Sequence, residues 1–357
     1  MPIANPNIYD TNVLVKVVSN LKVSQNFLLD LFFPQIVTSD TEYVSIDVDL
    51  GKRRMAPFCS PLVEGKFVES RRFQTESFKP AYIKDKRAPD LRKPIRRMIG
   101  ERIGGEMSAA EREQANLQFE MADQIDILNR RLEWMAASVL KTGTVTIAGD
   151  GFPTTIIDFG RASGLTISLS GSAAWDAATP TYTPTTYIEQ WQNQILKASG
   201  AKATDIVFTP TAWANFLKDP LLKNFAWFPG GGNGGSGGQS GLQLGPNIER
   251  GAVFKGNWGT YRLWIYNDWY VDDVTNVETP FLADGTILMG GPDMEGLRAY
   301  GAIEDPAFAY GALAYAPKSW LNNDPAQRFL MMQSAPIVIP SRVNAALAAT
   351  VATGVLT

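Results

Sequence analysis

The side chains and backbone patterns that could carry chemistry in this chain crowd into one stretch. "FPGGGNGGSGGQSGLQLGP", Phe228 to Pro246, places Gly230, Gly232 and Gly235 at the spacing of the dinucleotide-binding G-x-G-x-x-G. Gly234, Ser236 and Gly238 in the same stretch fit the hydrolase G-x-S-x-G. The first pattern would hold a pyrophosphate on backbone amides, and it needs a strand before it and a helix after it. Here "AWFP" precedes and "SGGQSG" follows, so neither element is supplied. The second would present a serine nucleophile to a histidine base, and the chain contains no histidine. Both matches are accidents of glycine density. The run reads as a mobile loop inserted in a folded domain, because Gly and Ser at this density form flexible coil.

The missing histidine removes the commonest general base and the commonest metal ligand. Cys59 is the single cysteine, which excludes a disulfide within the chain and a Cys/His zinc site. No G-K-[ST] occurs, so there is no P-loop. The remaining candidates are carboxylate pairs, Asp47/Asp49, Asp272/Asp273 and Glu304/Asp305, which sit in turns and strand edges rather than in a recognisable constellation. The expectation is no catalytic residue, no cofactor and no metal. The opening "MPIANPNIYD" has neither the basic nor the apolar part of a signal peptide. No apolar run reaches the ~18 residues of a membrane helix, so no membrane partner is expected. The apolar tail "AALAATVATGVLT" reads as a terminal helix turn or frayed end.

With 357 residues and 45% hydrophobic content the chain can bury a sizeable core, and its net charge is only −3. That charge is unevenly spread. Residues 52–102 hold 15 Lys or Arg against six Asp or Glu, a net +9 that leaves −12 for the rest. In "GKFVESRRFQTESFKPAYIK" the aromatics stand singly among charges, which predicts a two-stranded arm unable to stabilise itself in water. It is either a solvated basic hairpin or an arm lying on an acidic neighbour. A further alternative is a nucleic-acid-binding surface built on the basic 52–102 segment, with Phe73, Phe78 and Tyr82 as stacking platforms.

The elements that would position these features are legible in outline. "EYVSIDVDL" alternates as a half-buried strand. From Ser108, with Glu111 completing a capping box, Leu117, Met121, Ile125, Leu128, Leu132, Met135 and Val139 step by three and four, and Gly143 supplies a stop. That predicts a helix of about 34 residues, roughly 50 Å long. Its other face carries Glu113, Glu120, Asp123, Asp126 and Glu133. Further on, Thr186 and Glu189 make a second capping box for a helix that buries Ile188, Trp191 and Ile195 and ends at Gly200. "DIVF" is a strand, Thr209-Pro210 starts a helix, and "YRLWIYNDWYV" and "GTILMG" are further strands of a mixed α/β unit.

Five stretches, in order, resemble the lambda-type major capsid proteins of tailed bacteriophages: "LLDLFFPQ", "SPLVEG", "SRRFQTESFKPAYIKDK", "MEGLRAYGAIEDP" and "YAPKSWLNNDPAQRFLMMQSAPIVIP". The resemblance implies an α+β, Hong Kong-97-like capsid fold. Mapped on this chain it gives an N-terminal arm and first strand in 1–51, an extended β-hairpin loop in 52–95, and a peripheral domain in 96–185 with a spine helix at 108–141. An axial domain follows in 186–299, with the glycine-rich loop 229–241 at its tip, then a return to the peripheral domain in 300–343 and a tail in 344–357. The axial loop, with Gly230, Gly235 and Gly238, would surround centres of five-fold and quasi-six-fold symmetry.

The function so implied is a self-assembling shell protein of the virion, forming homo-hexamers and homo-pentamers of an icosahedral capsid around double-stranded DNA without sequence readout. Assembly in the host cytoplasm with scaffold, portal and decoration proteins is implied with it. The intersubunit contacts to expect are Lys66, Arg71, Arg72, Phe73, Phe78 and Lys79 from the extended loop, against Glu120, Asp123 and Asp126 of a neighbour's spine helix. Some shells of this fold join a Lys to an Asn covalently. Lys66, Lys79 and Lys84 are available for that, yet the resemblance favours a shell without a cross-link.

Overall fold

The computed structural model describes residues 26–49, 73–89, 108–149, 151–222, 251–324 and 326–352, with short pieces between 55 and 65. The long helix forms where its period and caps place it. Helix α1 spans Phe27–Phe32 and α2 spans Ala109–Thr142. The Glu111 amide donates to Ser108 Oγ at 3.3 Å, and the Ser108 amide donates to the Glu111 carboxylate at 2.6 Å, so the capping box is present. Gly143 ends α2 at φ 76°. A Cβ there would also lie 2.7 Å from Arg161 Cβ, so backbone and packing both require glycine. The apolar stripe from Leu117 to Val139 is buried throughout.

Two small sheets lie against this helix. Strands β1 (Gln35–Thr38), β14 (Gly296–Tyr300) and β17 (Pro336–Pro340) form one, with β1 parallel and β17 antiparallel to β14. Strands β4 (Ile83–Arg87), β15 (Ala316–Asn323) and β16 (Ala326–Ser334) form the other, in the order β15-β16-β4. Leu330 and Met332 of β16 close a core with Leu117, Met121, Ile125 and Leu128 of α2. A hairpin-like pair, β2 (Val44–Asp49) and β3 (Phe73–Phe78), stands beside them in antiparallel register, Val44 opposite Phe78.

The larger sheet has six strands in the order β7-β18-β13-β8-β10-β9. They are β7 (Thr166–Ser168), β8 (Asp205–Phe208), β9 (Gly251–Trp258), β10 (Tyr261–Asn267), β13 (Thr286–Gly290) and β18 (Leu347–Thr350). β8 and β13 are buried along their whole length, as continuous apolar runs in a sheet's centre should be. Helices α3 (Pro184–Ala198) and α4 (Pro210–Phe216) supply Trp191, Trp213 and Phe216, which cluster with Trp175 and Phe208.

The structure departs from the sequence reading at five places. The apolar tail, read as a helix turn or frayed end, contains a strand: Leu347–Thr350 is β18, held between β7 and β13, and residues 353–357 lie outside the described residues. An Ala-rich run has no period to betray a strand. The second capping box is absent, because α3 starts three residues earlier, on Pro184 with Thr183 as N-cap in place of Thr186. There the Thr183 hydroxyl bonds the Thr185 and Thr186 hydroxyls rather than a backbone amide. "YRLWIYNDWYV" is two strands that part at Asp268, since β11 (Trp269–Val271) turns away to pair with β12 (Glu278–Pro280). Ile83–Arg87, read as part of the extended loop, is a strand of a packed sheet. The strand Val44–Asp49, read with the N-terminal arm, is the partner of β3 in that loop.

Candidate assembly surface

The basic segment meets the acidic helix within one subunit first. On β4, Arg87 Nη1 reaches Asp123 at 2.6 Å and Glu120 at 3.1 Å, and its Nε reaches Asp85 at 3.1 Å. Burial works against the Arg87 charge, and the hydrogen bonds it donates to Asp123 and Glu120 outweigh it, so its pKa is raised. Gln124 adds a bond from its Nε2 to the Asp85 carbonyl. Lys86 lies 4.2 Å over the ring of Phe329 and 5.4 Å from Trp320, and Lys84 lies 5.0 Å over Tyr82. Three cations and two acids that sequence would leave for a neighbour are thus engaged at home.

Beneath β4 runs a polar network. Tyr82 Oη donates to Gln333 Oε1 at 2.7 Å, Gln333 Nε2 donates to Asp305 at 3.0 Å, and Lys318 Nζ donates to both Asp305 oxygens at 2.8 Å. Burial alone would raise the Asp305 pKa. Lys318, the Ala307 amide and Gln333 overcome it and pull it down to about 2. Asp305 is therefore a structural anion, and its neighbour in sequence, Glu304, shares in no metal-binding cluster among the described residues.

By contrast, the pair β2–β3 projects with little support. Ser45 and Ser77 hydroxyls meet across it at 2.9 Å, and Lys79 pairs with Glu42 at 2.7 Å with both side chains about half exposed. Phe78 is the anchor: it packs on Phe159, centroids 5.2 Å apart. Beyond this pair, Met55 (92%), Phe58 (104%) and Leu62 (94%) are almost wholly exposed. Further apolar side chains stand out on other elements: Phe119 on α2, Ile36 on β1, Leu321 on β15, and Val271, Val274 and Val277 on the β11–β12 hairpin. That hairpin and α2 border a groove of about 620 Å³ lined by Ile127, Trp134 and Trp269, and bridged by the Arg131–Asp273 pair at 3.0 Å. Apolar groups standing singly on several faces are ordinary for a folded surface and by themselves assign no contact.

Comparison with known proteins decides what the contacts are for. The family model described as "Phage major capsid protein E" matches residues 10–351. This chain belongs to that family. The major capsid protein of Escherichia phage lambda is 31% identical over 317 residues, covering 87% of this chain and 89% of the relative. That of Escherichia phage N15 is 29% identical over 93% of this chain and 96% of the relative. Among solved structures, the putative capsid protein of a prophage of E. coli CFT073 superposes with a TM-score of 0.73 at 23% identity, over 96% of this chain and 99% of the other. The capsid of Ralstonia phage GP4 gives 0.52 at 14% identity, over 94% and 93%. The fold is the Hong Kong-97-like capsid fold, and the chain is a major capsid protein of a tailed bacteriophage, a component of the virion.

The contact residues expected of this capsid protein divide three ways. Lys66, Arg71, Arg72 and the glycines Gly230, Gly235 and Gly238 lie outside the described residues, and so does the whole loop 229–241. Phe73 opens β3, and Lys79 is exposed at its foot. Phe78, Glu120 and Asp123 have partners within their own subunit, Phe78 against Phe159 and the two acids on Arg87, and their contact with a neighbour stays a proposal. Asp126, half-buried on α2, forms no ion pair among the described residues. Of the stacking platforms of the nucleic-acid alternative, which the comparisons do not support, Phe78 packs inward and the Tyr82 hydroxyl is taken by Gln333. Sequence reasoning also set Glu133 on the acidic face opposite the apolar stripe, and it is in fact 1% exposed. The signal that could have found it is its place between Leu132 and Met135, one position off the apolar stripe and four after the buried Asn129.

Proposed function

We propose that this chain is the repeating subunit of an icosahedral head, assembling as hexamers and pentamers around double-stranded DNA, with no enzymatic role. The family match over residues 10–351 carries the reading. In it, the six-stranded sheet with α3 and α4 is the axial body. Helix α2 with the two three-stranded sheets is the peripheral body, and β2–β3 with the residues up to Arg72 is an arm laid over the next subunit. Its support is the exposed Met55, Phe58 and Leu62, which find no cover within the described subunit. Many weak contacts of this kind sum through closed symmetry. DNA would be met by the inner surface without base readout. Scaffold, portal and decoration proteins are the further partners to look for in the host cytoplasm.

Negative-stain electron microscopy of the overexpressed chain tests this. Closed shells or rings of five and six subunits are expected, and a monodisperse monomer at all concentrations and salts would overturn it. Denaturing electrophoresis of particles is expected to give a single band near 39 kDa, and a boiling-resistant ladder would show a covalent cross-link instead.

A further inference from the structure

Glu133 is a buried carboxyl that receives three hydrogen bonds and no countercharge. Its Oε1 accepts from the Leu28 amide at 2.8 Å and from Tyr266 Oη at 3.0 Å, and its Oε2 accepts from the Leu29 amide at 3.0 Å. The two amides open α1, and Tyr266 is on β10, so one side chain of α2 joins three separate elements. Asn26 Nδ2 adds a bond to the Asn129 carbonyl one turn back on α2. At the other end of α1, Arg298 of β14 binds Asp30 and the Phe33 carbonyl.

The charges on the elements packed around Glu133 do not neutralise it. On α1, Asp30 is paired with Arg298. On α2, Arg131 is paired with Asp273 and Arg130 is exposed. After β10 comes Asp268, whose negative charge acts to raise the Glu133 pKa. No ion pair among the described residues includes Glu133. A carboxylate removed from water without a cation favours its neutral form. Burial is the largest effect, and although the Leu28 and Leu29 amides and the Tyr266 hydroxyl pull the other way, the pKa is pushed up to about 7.

We propose that Glu133 is a proton-linked clamp that fastens α1 across the spine helix α2 and strand β10, so that docking of α1 takes up a proton. In this proposal α1 is the cover that keeps water from Glu133: when it lifts, loss of the two amide bonds favours the proton, but hydration reverses the largest effect and returns the affinity toward the ordinary level near 4.5. The sign follows from linkage: the docked state binds the proton more tightly, so acid closes the clamp and rising pH loosens it. The change spans the window between the two values, from about 4.5 to about 7, and levels off above it. The N-terminal segment of this shell subunit is thereby coupled to the solution in which the shell forms.

Hydrogen exchange of peptides covering residues 26–33, corrected for the intrinsic pH dependence of exchange, reads the opening of α1 directly. In the wild-type chain the opening ratio is expected to rise by up to about tenfold per pH unit between about 4.5 and 7 and then to flatten. Glu133→Gln is expected to remove that slope whatever it does to the absolute level. Tyr266→Phe takes away one bond to the ionised form, and is expected to move the plateau to higher pH. A flat wild-type profile, or a slope that survives in Glu133→Gln, overturns the proposal. Should the Gln variant not fold, the Tyr266→Phe shift decides alone, and an unmoved plateau there refutes the clamp. The readout needs no shell, so failure of assembly and failure of the clamp are separate results.

Discussion

Strands β3 and β4 come from the same basic segment and are four residues apart, yet they end in different situations. β4 brings Ile83 to the α2 core, lays Lys86 on two aromatic rings and surrounds Arg87 with three carboxylates. β3 pairs with β2 alone among the described strands and touches the core through Phe78. Net charge does not distinguish them. What does is the partner: β16 offers a sheet edge backed by a helix, whereas β2 pairs with β3 alone among the described strands and enters the core at Val44. A two-stranded ribbon is marginal in water, so β3 is the half for which support from a neighbouring subunit is proposed.

The sharpest way to break this contrast is to remove the surface that hosts β4. Ile125 is 1% exposed in the cluster with Leu330 and Met332. Ile125→Asp is expected to cost several kcal/mol, roughly 4 or more, through an unpaired buried carboxylate. The measure is soluble yield and the urea midpoint, and wild-type values for both would contradict the packing described. Next in size is Arg87→Ala, which strands Asp85, Glu120 and Asp123 together. A loss of about 1–2 kcal/mol is expected by urea titration, allowing for the partial exposure of the pair to Asp123. Tyr82→Phe removes one buried hydrogen bond and leaves Gln333 Oε1 without its donor, an effect of about 1 kcal/mol in the same titration.

Asp305 belongs to the β4 side of the comparison and responds to acid. Its folded pKa is depressed, so its contribution is complete above the ordinary value of 3.8 and is lost as pH falls through about 2. Acid-unfolding curves of Asp305→Asn should lack that part of the slope below pH 4. On the β3 side, Lys79→Ala removes an exposed pair with Glu42, and no measurable change in the midpoint is expected. A drop comparable to that of Arg87→Ala would mean that the hairpin belongs to the subunit's stable body.

How much of this was legible beforehand follows a physical division. Helix α2 was readable in full, because its caps and its stripe are local and repeat along the chain. So were Thr209-Pro210 as a helix start and "DIVF" as a strand. Features that depend on who lies opposite were not readable. β18 is an unpatterned alanine-rich run that becomes a strand only between β7 and β13. The home pairing of Arg87 with Glu120 and Asp123 needs the crossing of β4 over α2, which no spacing encodes. Glu133 looks like any acid of a solvated face until α1 and Tyr266 are placed on it.

The position of β18 has a consequence in time. β7 is joined to the six-stranded sheet only through β18, and β18 is made of residues 347–350. A ribosome synthesises the segment around Thr166 long before its partner around Ala348 exists. Until then β13 lacks a neighbour on that side, and its edge is open to any strand nearby. The sheet closes only when the chain has been made past Thr350. A nascent or truncated subunit is therefore structurally distinguishable from a finished one, and a chain that ends before Leu347 would lack the strand that seats β7.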